Sequence, residues 1–303
     1  MNETLTQMGL LVCMMLVGVI SARLKLTDNV FNKSNSPVVM NVLLSFTIFN
    51  ATINTNANIG IAQLGRIILF QTISLIICML MGMAVAKLMR LKGAEKGLAQ
   101  FMITMPNTAF VAFPVIYSVY SSTGLFYASL TNIPFNIVAY TIGVAMVSGN
   151  IKQMRFRQIL SFPLVVALFS VIVFLSGVKV PEFIKKFSFT MSQATVPMSM
   201  LIVGTSLGTV SLKNALADWR VYILSFVRLI VCPLVIWFVM RYFITDPILL
   251  GVLVILASAP GAMLLTIFAV QYDRDEGFAS KCVFISTIFS AATMPLMIWL
   301  LLK

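Results

Sequence analysis

The stretch GLAQFMITMPNTAFVAFPV, residues 97–115, is apolar enough to lie in lipid, yet it carries Pro106 followed at once by Asn107 and Thr108. A helix that starts at Gly97 reaches Pro106 after nine residues, about 14 Å at ~1.5 Å per residue, close to the middle of a hydrocarbon layer of ~30 Å. Proline has no amide hydrogen and its ring clashes with the carbonyl four residues back, so the Met102 carbonyl loses its helical partner. Asn107 and Thr108 are both able to cap the start of a new helix. The stretch therefore reads as two half-helices meeting inside the membrane. A second stretch, LASAPGAMLLTIF at 256–268, repeats the device: Pro260 frees the Leu256 carbonyl and Gly261 permits a bend. One proline in a membrane helix is as often a simple kink as a site. Two breaks at equivalent places favour a binding site.

Apolar runs surround these two stretches on both sides. They cover Gln7 to Leu24, Pro37 to Phe49, Gly65 to Met89, Gly97 to Tyr120 and Gly124 to Val147, and then, after the basic KQMRFR, Ile159 to Val178, Met191 to Leu207, Trp219 to Phe243, Pro247 to Val270 and Phe278 to Leu302. The fold class expected is an all-α membrane protein of ten transmembrane helices in two five-helix repeats, residues 1–149 and 150–303, forming a single membrane domain. A shift of 154 residues lays the second set over the first without a gap, pairing Ser45 with Ser199, Arg66 with Arg220, Cys78 with Cys232 and Pro106 with Pro260. Apolar identities are cheap in so hydrophobic a chain, so the Arg, Cys and Pro pairs carry most of the argument. An odd number of helices per repeat inverts the second repeat across the membrane, an architecture of alternating-access carriers.

Composition agrees. The chain is 60% hydrophobic and 10% charged, against roughly 25% charged in soluble domains. The net charge of +12 would suggest nucleic acid in a soluble protein. Here the basic residues fall in short loops, where they set orientation, and no nucleic-acid partner is expected. Cys13, Cys78, Cys232 and Cys282 all lie in apolar runs and read as small buried hydrophobes, and there is no His; a metal or haem cofactor has no support. The first apolar run has an acid before it and basic residues after it, the reverse of a secretory signal, so it reads as a retained helix. With the N-terminus outside, the inner loops hold 14 basic residues and the outer side 6, which predicts both termini outside a cytoplasmic (inner) membrane.

Function follows from the breaks. The N-termini of the two second half-helices point toward the midplane from opposite faces, each with a partial positive charge and unpaired amides. A small organic anion is the expected cargo. Pro106, Asn107 and Thr108 with Pro260, Gly261 and Ala262 form the core of the expected substrate-binding set. Asn41, Ser45, Asn132 and Asn136 are added as polar residues within apolar runs, the last two four apart on one face; Gln193 and Ser199 are of the same kind. Arg228 is the one ionised side chain deep in a span, which costs ~2.5–3.5 kcal/mol unless it finds a partner. Two readings stand for it: counter-charge to a carboxylate, or a structural arginine bonding the carbonyls freed by a break. The nine acids all fall in loops or at helix ends, which argues against an intramembrane enzyme and against an exchanger built on a midplane carboxylate. A channel is disfavoured by crossing broken helices. Gly204 and Gly208 suit close helix packing, and the acidic turn QYDRDEG reads as a solvated loop.

The segments PNTAFVAFPV (106–115), RLIVCPLV (228–235), APGAMLLTIFAVQYDRD (259–275) and STIFSAATMPL (286–296) together resemble the auxin efflux carrier family, including its bacterial malate and malonate permease-like members. That resemblance implies ten helices with the fourth and ninth broken and crossing, a substrate at the crossing, and carboxylates such as malate, malonate or an auxin-like acid as cargo. One departure is visible: the family often has a proline ahead of its aliphatic-Phe segment, where this chain has Ser45 before Phe46. Besides the carboxylate and membrane lipid, a coupling ion, proton or sodium, and a second copy of the chain as a homodimer stay open as partners. Direction of transport is likewise open.

Overall fold

A computed structural model describes residues 2–54, 60–153, 160–178, 180–209 and 218–302. The basic residues Arg155, Arg157, Lys179, Lys213 and Lys303 lie outside the described residues, as does the side chain of Glu3. Among the described residues the chain is helical, with a single isolated β-bridge. Five helical stretches, Asn29–Ile53, Ala62–Leu88, Thr108–Ser148, Trp219–Met240 and Glu276–Leu301, are long and apolar enough to cross a membrane, and shorter apolar helices accompany them. The protein is an all-helical membrane protein.

Helix follows the apolar runs. In chain order the helices are α1 (Asn2–Arg23), α2 (Asn29–Val38), α3 (Leu44–Ile53), α4 (Ile61–Leu88), α5 (Gly93–Thr104), α6 (Phe113–Val138), α7 (Val144–Ser148), α8 (Phe162–Ser176), α9 (Glu182–Gln193), α10 (Thr195–Thr209), α11 (Trp219–Phe226), α12 (Cys232–Met240), α13 (Pro247–Ser258), α14 (Leu264–Gln271) and α15 (Glu276–Leu301). π-helical turns at Val39–Leu43, Ala139–Gly143 and Val227–Val231 join α2 to α3, α6 to α7 and α11 to α12. Each lies near a proline (Pro37, Pro134 and Pro233), whose missing amide disturbs the ordinary ladder. α6 is interrupted at Ser121, with φ 52° and ψ −146°, between the runs the sequence ends at Tyr120 and resumes at Gly124.

The acids at helix ends have a local job. Asp28, Asp218, Asp246 and Asp275 accept backbone amides at the starts of α2, α11, α13 and α15, at 2.8 to 3.2 Å. An N-cap of this kind contributes ~1 kcal/mol.

The chain forms two compact units, each drawing on both halves of the sequence. Unit 1 comprises Met1–Gly65, Ala109–Asn132 and Leu160–Val210. Its seam is α1 against α10, where backbones approach closely: a Cβ on Gly204 would stand 2.0 Å from the Met15 carbonyl oxygen, and one on Gly18 2.5 Å from that of Leu201. Hydroxyls bind its helices together, Thr47 to Thr195 at 2.6 Å and Thr27 to Thr205 at 3.0 Å, and Phe46 meets Phe187 edge to face at 5.2 Å. Unit 2 comprises Arg66–Thr108, Ile133–Ile159 and Ser211–Lys303. In it α5 and α7 touch backbone to backbone, since a Cβ on Gly97 would fall 1.8 Å from the Met146 carbonyl oxygen.

Candidate substrate site

The break points at Pro106 and Pro260 both lie in unit 2, and there they meet. α5 ends as Met105 turns extended, φ −100° and ψ 112°. α13 ends as Ala259 does the same, φ −68° and ψ 148°. The residue before a proline is pushed into this region by contact with the ring. The two extended pieces then pair antiparallel, Pro106 opposite Gly261. The Asn107 amide donates to the Pro260 carbonyl at 2.8 Å, and the Ala262 amide donates to the Met105 carbonyl at 3.0 Å. Unsatisfied backbone groups are costly away from water, so each break supplies the partners that the other lacks.

Arg228 bonds three further carbonyls at these helix ends, though not the Met102 carbonyl that Pro106 was expected to free. It stands in the π-helical turn Val227–Val231 and is 1% exposed. Its Nε donates to the Ala259 carbonyl, Nη1 to that of Ile103 and Nη2 to that of Leu256, each at 2.8 Å. Those oxygens belong to the C-terminal ends of α5 and α13, where partial negative charge collects and a cation is favoured. Of the two sequence readings, the geometry displays the bonding to freed carbonyls, with the Leu256 carbonyl among those expected and Ile103 and Ala259 added to it.

A residue that the sequence reading passed over completes the crossing. Ser286, fully buried in α15, takes the Gly261 amide on its Oγ at 3.2 Å and donates to the Val283 carbonyl at 3.0 Å. The 154-residue shift places it opposite Asn132, which is the one signal in the sequence that pointed there. Next to it, a Cβ on Gly261 would sit 3.1 Å from the Met102 Cγ. The expectation of unpaired amides just after each proline is thereby refined: the amides of Asn107, Gly261 and Ala262 already have protein acceptors. The positive ends of the second half-helices lie in the turns that follow, Thr108–Ala112 and the start of α14.

Other expected site residues are distributed over both units. Asn107 and Thr108 are buried in unit 2, as is Asn136. Asn132, Ser45 and Asn41 belong to unit 1; Asn132 and Ser45 are buried, Asn41 is exposed, and the Ser45 hydroxyl donates to the Asn41 carbonyl at 2.7 Å. Gln193 lines a cavity of about 630 Å³ in unit 1 together with Gln7, Thr47, Tyr117, Ser118 and Ser121, while Ser199 is buried.

Electrostatics around the crossing are one-signed. Among the described residues Arg228 is the only charged side chain that is buried. At the far ends of the same helices, Arg220 reaches Glu95 and Asp218 at 2.7 Å each and lies 5.1 Å from the Phe278 ring centroid, tying the starts of α5, α11 and α15 together. The Arg220 guanidinium holds the Asp218 carboxyl below the usual carboxylate range. Arg274 in the QYDRDEG turn bonds the Ser148 carbonyl at the end of α7, so this turn is anchored to a helix end. Among the described residues, no group of three or more His, Cys, Asp or Glu is placed to hold a metal ion.

Comparison with known proteins agrees with this picture. Residues 4–156 and 145–298 match the family described as membrane transport protein. An uncharacterized transporter of Methanocaldococcus jannaschii is 25% identical over 301 residues, 96% of each chain. A second, from Methanothermobacter thermautotrophicus, is 27% identical over 302 residues, 98% of this chain and 97% of its own. A pair of interrupted helices joined inside a lipid-soluble bundle, in a sequence matched from end to end by transporters, places the chain among them: it belongs to the membrane transport protein family, the auxin efflux carrier family of transporters.

Proposed function

We propose that this transporter is a secondary carrier of a small organic anion, a carboxylate such as malate, malonate or an auxin-like acid, which it moves by alternating access. The observation that carries the reading is Arg228: a buried guanidinium whose hydrogen bonds run to neutral carbonyls. Carbonyl dipoles satisfy its geometry but leave its formal charge unbalanced. A buried charge without a counter-charge is costly, and a bound carboxylate relieves that cost. The positive ends of the second half-helices act in the same direction, ~0.3–1 kcal/mol each and up to ~2 where water is excluded. In this reading Asn107, Thr108 and Asn136 contact the anion, and the Pro106/Gly261 crossing with Pro260 and Ala262 fixes its place.

Two inverted five-helix repeats, ten transmembrane helices and both termini outside an inner membrane belong to the same proposal. They are supported by the 154-residue repeat, by helix along each of the ten apolar runs and by the basic-residue bias of the loops. Sodium coordination by the freed carbonyls is the less favoured alternative, since Arg228 occupies those of Ile103, Leu256 and Ala259. The test is counterflow in proteoliposomes loaded with mono- and dicarboxylates under imposed proton, sodium and voltage gradients. Exchange of at least one carboxylate is expected; exchange of neutral or cationic solutes with none of the carboxylates would reject the reading.

A further inference from the structure

The cavity in unit 1 carries a different chemistry from the crossing. It holds about 630 Å³, within the ~300–1,000 Å³ of small-molecule sites and far more than one bare ion fills. Gln7 of α1, Thr47 of α3, Tyr117 and Ser118 of α6, and Ser192 and Gln193 of α9 line it with polar groups, and apolar side chains such as Leu11, Met14 and Val196 stand beside them. Thr47 and Ser192 are buried, Gln7, Tyr117 and Ser118 half-buried and Gln193 exposed, so polar groups run from the interior to the mouth. Among the described residues, no ionised side chain lines it. The directions of its hydrogen bonds decide what it accepts. Ser118 Oγ donates to the Pro114 carbonyl at 3.0 Å, Ser192 Oγ to that of Phe189 at 2.7 Å, and Thr47 Oγ1 to that of Leu43 at 2.8 Å. A hydroxyl has one hydrogen and two lone pairs, so Ser118 and Ser192 offer a ligand acceptors only; Thr47 does the same, with Thr195 Oγ1 already 2.6 Å away. Gln7, Tyr117 and Gln193, which make no hydrogen bond among the described residues, supply both donors and acceptors.

We propose that this cavity is a second binding site, for an uncharged polyhydroxylated solute of the polyol or monosaccharide class. A carboxylate is all acceptor: it meets lone pairs at the buried hydroxyls and finds no cation beside it, so its burial there is costly. A cation finds oxygens but no counter-charge. A polyol meets neither obstacle. Its hydroxyl hydrogens go to Thr47, Ser118 and Ser192, its oxygens accept from the glutamine amides and the Tyr117 phenol, and its C–H faces pack on Leu11, Met14 and Val196. None of these residues belongs to the crossing, so the two sites select opposite chemistries within one chain.

The experiment uses the full chain with Cys13→Ala, in lipid nanodiscs free of glycoside detergent, and adds Val119→Cys as a reporter. Val119 lines the cavity with no polar group to lose, and Cys78, Cys232 and Cys282 are buried. The rate at which N-ethylmaleimide modifies the reporter is read by intact mass, with Cys13→Ala alone as background. Sorbitol, xylitol and glucose are the probes. At least one should slow labelling saturably, by about fivefold or more. Sodium malate and choline chloride at matched ionic strength should not, nor should trimethylamine oxide, an osmolyte without a hydroxyl. Ser192→Ala and Gln193→Ala should each weaken the protecting polyol about three- to tenfold. If Val119→Cys folds poorly, Met14→Cys gives the same readout from α1. Labelling that none of the three polyols slows beyond trimethylamine oxide would overturn the proposal. So would stronger protection by malate or by choline, which would assign the cavity to an ion. The reporter reads occupancy of this cavity and not transport, so its failure leaves the carboxylate reading of the crossing untouched.

Discussion

The breaks at Pro106 and Pro260 arise from the same local chemistry 154 residues apart in sequence, yet their surroundings differ. The end of α13 receives two of the three Arg228 bonds, at Leu256 and Ala259, and the residue after its proline is held by Ser286; the end of α5 receives one, at Ile103. Both supporting side chains come from the second half of the sequence. Their counterparts under the repeat shift are Ser74 and Asn132, neither of which is a cation. Two like breaks thus have unlike supports, and they should respond unequally to mutation.

The largest effect is expected at the shared support. Arg228→Ala removes three hydrogen bonds inside the protein and leaves the Ile103 and Ala259 carbonyls without this donor, the Leu256 carbonyl keeping the Ala259 amide, and the loss should be about 3–5 kcal/mol. Thermal denaturation in detergent and the yield of monodisperse protein are the measurements; Arg228→Lys, which keeps the charge without the three-way fork, should recover only part of it. A stability within about 1 kcal/mol of the parent would show that the crossing holds without the clamp.

Ser286→Ala acts on one break alone. It leaves the Gly261 amide without its acceptor, at a cost of about 1–3 kcal/mol, and hydrogen exchange should rise around 258–264 more than around 104–110. Equal change at both breaks would erase the asymmetry. Asn107→Ala tests the other side: carboxylate binding should weaken about five- to tenfold, with melting little altered, because the hydrogen bond to Pro260 is made by the backbone. Unchanged transport kinetics would remove Asn107 from the site. A methyl at Gly261 crowds the flexible Met102 side chain at 3.1 Å and meets the Ser286 Oγ and the Met102 carbonyl at ordinary contact, 3.7 and 3.8 Å, so Gly261→Ala should cost under about 1 kcal/mol.

The smallest effect is expected outside the crossing. Asp218 has its pKa lowered by Arg220, so its contribution is present above the unfolded carboxylate value and is lost as pH falls through the lower folded value. The pair is partly exposed, which limits it to about 1 kcal/mol or less. Asp218→Asn should therefore melt slightly below the parent at neutral pH and converge with it below about pH 4. A gap that persisted into stronger acid would assign the effect to the N-cap geometry instead.

The helical class, the position of each break and the capping acids were legible because each follows from the residue itself or its immediate neighbours. Proline lacks an amide, lipid excludes bare backbone, and an aspartate before a helix meets the nearest free N–H. Arg228 was marked out by its charge in an apolar run, though not which carbonyls it takes. Ser286 was marked only by standing opposite Asn132 under the 154-residue shift, since a serine in a membrane helix usually bonds its own turn.

The sequence by itself determined where the chain is apolar, where helix cannot continue, and that two like interruptions stand 154 residues apart. Only the tertiary structure decided that they meet, and that one arginine bonds oxygens 28, 31 and 125 residues away in sequence. It alone set a serine 25 residues from its glycine as that glycine's acceptor. The physical reason is range. Backbone chemistry acts over about four residues, and hydropathy over one span. Which freed carbonyl receives which donor depends on how the helices pack, and that is settled only when the whole bundle satisfies its backbone groups together.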